Sequence, residues 1–149
     1  MLKSVLAIIV SYVAGTILFF AFATGCFLLL GVERVFQPFS YEISNAWLGL
    51  TITISLLSAM LAGFLCAVIS KSWRTCQLLA FVAFFVTSIS CVLQVRRTNP
   101  DAPNTRAGEV EYFDAMNLAV APRWLTFINP LVSGIGVFLG AALKRRGTA

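Results

Sequence analysis

The residues that could do chemistry in this chain are few, and their spacing serves little of it. Histidine is absent from all 149 positions. That excludes a His general base, a His metal ligand and a His-ligated haem. The clustered carboxylates are Glu109, Glu111 and Asp114. An enzyme acting on lipid would have only these to use, and acids at the start of a surface helix are more often solvated. The cysteines are Cys26, Cys66, Cys76 and Cys91, with no CxxC pair. A four-span thiol oxidase needs an exposed redox pair in its outer loops, whereas these cysteines lie inside or at the ends of apolar runs. A buried Cys behaves as a small apolar residue. Cys26 and Cys91 are expected towards the same outer side, where geometry permits a disulfide. Cys66 and Cys76 are expected towards the reducing cytoplasmic side. Without His or a clustered ligand set no metal site is expected, and no cofactor either. The expected role is non-enzymatic.

The elements that must position these residues are four long apolar runs: Leu2–Val32, Ala46–Ile69, Cys76–Val95 and Trp124–Leu143. A bilayer crossing takes about 20 apolar residues, and Lys3 is the one charge inside any run. The chain is 59% hydrophobic and 11% charged, against about 25% charged in soluble domains. The fold class expected is therefore all-α, a single membrane domain over residues 1–149 built as a four-transmembrane-helix bundle. What remains is short ends, short connections and one long outer loop, 96–123, so function must sit in the bundle, on its faces or in that loop. In the loop, Thr98–Gly108 is rich in turn residues. Glu109–Ala121 then shows apolar residues at helical spacing with acids first, which predicts a short amphipathic surface helix before the last span. Pro122 fits its boundary.

The net charge of +5 flanks the spans, as orientation requires. There is no basic stripe with interleaved aromatics, so nucleic acid is not an expected partner. Lys3, Lys71, Arg74 and Lys144–Arg146 lie in acid-free segments, while every acid falls on the other side. Both termini are therefore expected to be cytoplasmic, in a bacterial inner membrane. Ala21-Phe22-Ala23 matches a small-x-small cleavage site, and Ala23-Thr24-Gly25-Cys26 approaches a lipobox. The apolar Cys26–Leu30 that follows speaks for an uncleaved first span.

Within the spans, small residues recur at four-residue spacing: Ala7, Ser11 and Gly15; Ser55, Ala59, Gly63 and Ala67; Gly136 and Gly140. Such stripes let helix backbones approach where lipid supplies no hydrophobic drive. Ala59, Gly63, Gly136 and Gly140 are the candidate helix-contact residues, either inside the bundle or on a docking face. Tyr112, Phe113 and Trp124 are the candidates at the outer surface. Phe36, Phe39, Tyr41 and Trp47 read as interfacial anchors, Gln37-Pro38 as a turn, and Ser44 or Asn45 as a cap for the second span. Asn129-Pro130 predicts a kink in the fourth. The span hydroxyls are expected to bond their own backbone or a neighbour; lining a path for a neutral solute is the alternative.

Length, four spans, the Phe- and Tyr-containing first loop and the Gly-rich last helix resemble small bacterial four-helix integral membrane proteins, a class that carries no agreed activity. The chain does not resemble small multidrug transporters, since no Glu lies in the first span. The expected role is an accessory, assembly or scaffold subunit whose partners are the lipid bilayer and other membrane protein subunits or a second copy. The rival is a small channel or carrier for a neutral or weakly polar solute.

Overall fold

The computed structural model describes residues 2–97 and 118–146. Among these residues there are five helices and no strand: α1 Leu2–Leu30, α2 Val32–Val35, α3 Asn45–Ser70, α4 Trp73–Arg97 and α5 Leu125–Arg146. α1, α3, α4 and α5 each hold a stretch long and apolar enough to cross a membrane. The protein is an all-α, multi-pass membrane bundle. α1, at 29 residues, is about 44 Å long and exceeds a hydrocarbon core of about 30 Å, so it must tilt or protrude.

The helix ends follow from local chemistry. α1 stops at Leu30, because Gly31 takes a positive φ of 72° that other residues adopt only under strain. Ser44 caps α3, its hydroxyl accepting the Trp47 N–H at 3.3 Å. Lys71 ends α3 in the left-handed conformation, its N–H donating to the Ala67 carbonyl. Ser70 and Ser72 then complete a tight turn, with the Ser72 N–H donating to the Ser70 hydroxyl. α4 starts at Trp73, three residues before the apolar run, and the Cys76 N–H donates to the Ser72 carbonyl. The amphipathic helix expected over Glu109–Ala121 lies mostly outside the described residues. Of its described residues Leu118 is helical but 119–121 are not, because Val120 instead pairs with the Tyr41 and Ile43 backbones.

The chain runs up and down, which puts two ends on the bundle. One carries the start of α1, the α3–α4 turn and the end of α5; it holds Lys3, Lys71, Arg74 and Lys144–Arg146 and is called the basic end. The other carries the α1–α3 connection and the start of α5, and is called the aromatic end. In space the main contacts run α1–α3–α5–α4. α3 and α4 are joined by a short turn, yet α5 is the main partner of both. The reason lies in the glycines of α5.

Candidate functional site

α3 and α5 run parallel and touch at backbone distance. A Cβ added at Gly136 would lie 2.6 Å from Ala59 Cβ and 3.1 Å from the Leu56 carbonyl oxygen. One at Gly63 would strike the Val137 carbonyl, and one at Gly140 the Met60 carbonyl. The structure thus brings Ala59, Gly63, Gly136 and Gly140 together at one contact inside the chain. Two small-xxx-small stripes meet face to face, the arrangement that lets helix backbones pack in lipid. α1 packs the same way on another face of α3: a Cβ at Gly15 would lie 2.9 Å from Ala62 Cβ and 3.3 Å from the Ser58 carbonyl oxygen. Ala7, Ser11 and Gly15 are the buried residues of its first half. α3 therefore carries two small-residue faces. The sequence reading identified the one at 59 and 63 and missed the one at Ser58, Ala62 and Cys66, although its four-residue spacing is equally regular.

Towards the basic end α1, α3 and α4 converge on a second constellation that the sequence reading did not pair. The Cys66 thiol faces the Cys76 thiol and the hydroxyls of Ser70 and Ser11. Both thiols are buried among Ala7, Leu79, Ala80 and Ala141. The signal was present: positions 66 and 76 stand five residues either side of Lys71, the centre of a tight antiparallel turn, and so meet across it. Ser11 Oγ is fully buried and is the one buried side-chain polar atom among the described residues that lacks a hydrogen-bond partner. All four cysteines are free thiols. A disulfide between Cys66 and Cys76 would close a loop of about ten residues that the turn already holds shut, and would constrain little more. The pair acts as small apolar packing.

Five other span hydroxyls are spent locally. Thr16 donates to the Tyr12 carbonyl, Thr51 to Trp47, Thr53 to Gly49, Thr87 to Ala83 and Ser88 to Phe84, all at 2.7–2.9 Å. Each is a bond to the helix's own preceding turn. Pro130 is inside α5 and gives no N–H to that ladder. Asn129 faces the Cys91 thiol. Cys26 instead packs beside Phe27 and Trp47.

The aromatic end is a built cap. Phe27 on α1, Val35 and Phe36 after the Gly31 break, and Trp47 on α3 form one buried cluster. Phe27 stands edge-on to Trp47 at 5.7 Å and to Phe36 at 6.4 Å, and Phe36 to Tyr41 at 6.4 Å. Backbone bonds pin the connection: the Ser44 N–H to the Val35 carbonyl at 2.8 Å, the Gln37 N–H to Glu42 at 2.8 Å and the Val120 N–H to Tyr41 at 2.9 Å. Phe36, Tyr41 and Trp47 are thus core residues, where the sequence suggested interfacial anchors. Of the four aromatics only Phe39 is exposed, at 80%. Beside this cap opens a groove of about 760 Å³, lined by apolar Leu30, Phe36 and Leu50 and by polar Arg34, Gln37 and Asn45. Trp124 is half-exposed at the same end, in the turn before α5. Tyr112 and Phe113 lie outside the described residues, as do the carboxylates Glu109, Glu111 and Asp114.

Among the described residues no group of three or more Cys, Asp or Glu side chains is placed to hold a metal ion. No family model matches the chain, and no curated protein or solved structure matches it significantly.

Proposed function

We propose that this chain is a non-enzymatic accessory, assembly or scaffold subunit. It contacts other membrane proteins, or a second copy of itself, through the groove at its aromatic end. One contrast carries this reading. The small-residue stripes that could have docked a partner helix are used up inside the bundle, while the groove beside the cap stands open on a frame fixed by ring packing and backbone hydrogen bonds. A preformed concave surface with an apolar lining and a few polar groups is what recognition uses. The packed interior weighs against a channel or carrier. Its helix backbones touch at the centre, and the hydroxyls of Thr16, Thr51, Thr53, Thr87 and Ser88 are bonded within their own helices. In the same reading the basic end faces the cytoplasm of a bacterial inner membrane, by the bias of Lys and Arg, and the groove faces outward.

Ala46 is exposed and lines the groove, so Ala46→Trp fills it without entering the core. Purification in mild detergent should recover a stoichiometric membrane partner or a homo-oligomer with the unaltered chain. Ala46→Trp should lose that partner and keep its thermal unfolding. A variant that retains every partner would overturn the docking role of the groove.

A further inference from the structure

We infer that the basic end holds an anionic phospholipid headgroup against the α3–α4 turn and the last turn of α5. Charge complementarity is the ground for this. Lys3, Lys71, Arg74 and Lys144–Arg146 all fall at this end, and among the described residues no Asp or Glu does. Topology could be written with dispersed charges; here Arg145 of α5 stands over Trp73, and Lys71 and Arg74 flank that same residue in the chain. Trp73 starts α4, and its ring lies 6.1 Å from that of Phe138 on α5. The Arg145 guanidinium sits over the same ring, with Cζ 5.4 Å from the centroid. The ring thus fastens the α3–α4 turn to the end of α5 and fixes where Arg145 stands. Lys71 and Arg74 are exposed on either side of Trp73 in the chain. Lys71 is projected from a left-handed residue, clear of the α3 helix. α4 has no acid in its first turn, so no carboxylate of that turn offsets the positive end of its dipole.

Trp73 is 37% exposed, and a Trp of this kind sits at headgroup level. That places the cations at the depth of lipid phosphates rather than in bulk water. Basic pockets between membrane helices at such a depth bind anionic headgroups. The occupant is therefore a phospholipid with net negative charge, such as phosphatidylglycerol, held by its phosphate while its acyl chains run along the exposed apolar flank of α4 at Leu78 and Phe81.

The test uses the full chain in phosphatidylcholine vesicles, with a minor fraction of acyl-brominated lipid as a quencher of tryptophan fluorescence. Brominated phosphatidylglycerol should quench more than brominated phosphatidylcholine at equal mole fraction. The enrichment should be about fivefold or more, the Boltzmann factor for one basic residue at an anionic surface. The excess should vanish in Trp73→Phe, and should fall in a Lys71→Gln, Arg74→Gln double variant whose thermal unfolding is unchanged. Inorganic phosphate at matched ionic strength should not remove it. Equal quenching by the two lipids overturns the proposal without needing any variant. An excess that persists in Trp73→Phe moves the lipid elsewhere and overturns it too. Loss of the excess to inorganic phosphate would make this a site for free anions instead.

Discussion

At the level of single residues, the chain is built from side chains that are not there. Gly63, Gly136 and Gly140 lie where any Cβ would meet the backbone or Cβ of a facing helix. Gly25 and Gly49 have nothing within 4 Å of the same position. This contrast yields a prediction with its own control. Gly63→Leu or Gly136→Leu should destabilise the bundle by about 1–3 kcal/mol, the usual cost of overpacking, seen as earlier thermal unfolding in detergent. Gly25→Leu and Gly49→Leu should unfold like the parent, because lipid yields to a new side chain. Equal behaviour of all four would mean that the α3–α5 approach does not hold the bundle together. The glycine stripes were legible in the sequence because four-residue spacing of small residues has few other uses in lipid. The Cys66–Cys76–Ser11 meeting was not. A cysteine carries no local sign of its neighbour; only the symmetry of the turn about Lys71 would have paired the two.

At the level of elements, the four spans were plain from apolar length alone, and their ends were not. The structure moves every boundary but the first by one to three residues, and three of the shifts have a local cause: the positive φ of Gly31, the cap at Ser44, the left-handed Lys71. The aromatic connection shows why loops resist reading. Phe36, Tyr41 and Trp47 have the composition of an interfacial belt, yet they are core: after the Gly31 break Phe36 and Trp47 are buried in one cluster with Phe27, and Tyr41 stands edge-on to Phe36. Ser44 is the hinge of that arrangement: its hydroxyl donates to the Arg34 carbonyl at 2.7 Å while accepting the Trp47 N–H at 3.3 Å. Ser44→Ala should therefore lose both bonds and destabilise the fold by about 1–2 kcal/mol, towards the upper end for a helix cap. Hydrogen exchange should open at Val35–Trp47 before the centre of α3. If protection in that segment is unaltered, the cap is held by its rings alone.

At the level of the whole molecule, the asymmetry between the two ends organises everything else. The basic end sets Arg145 over Trp73, and the aromatic end is clamped by rings and backbone pairing, with the groove beside it. Between them the helices close at glycine. The sequence exposes the charge asymmetry and the number of spans, since both are sums over long stretches. It does not expose the order α1–α3–α5–α4, which depends on which small-residue face meets which, nor the groove, which depends on a single break at Gly31. The central claim is that this molecule works by holding a neighbour at that groove. Photo-crosslinking in intact membranes tests it most directly, with the crosslinker at Gln37 in the groove and, as control, at Leu57 on the exposed apolar face of α3. A discrete adduct of fixed mass is expected from Gln37, to another membrane protein or a second copy, and only lipid adducts from Leu57. Lipid adducts alone from both positions would contradict it.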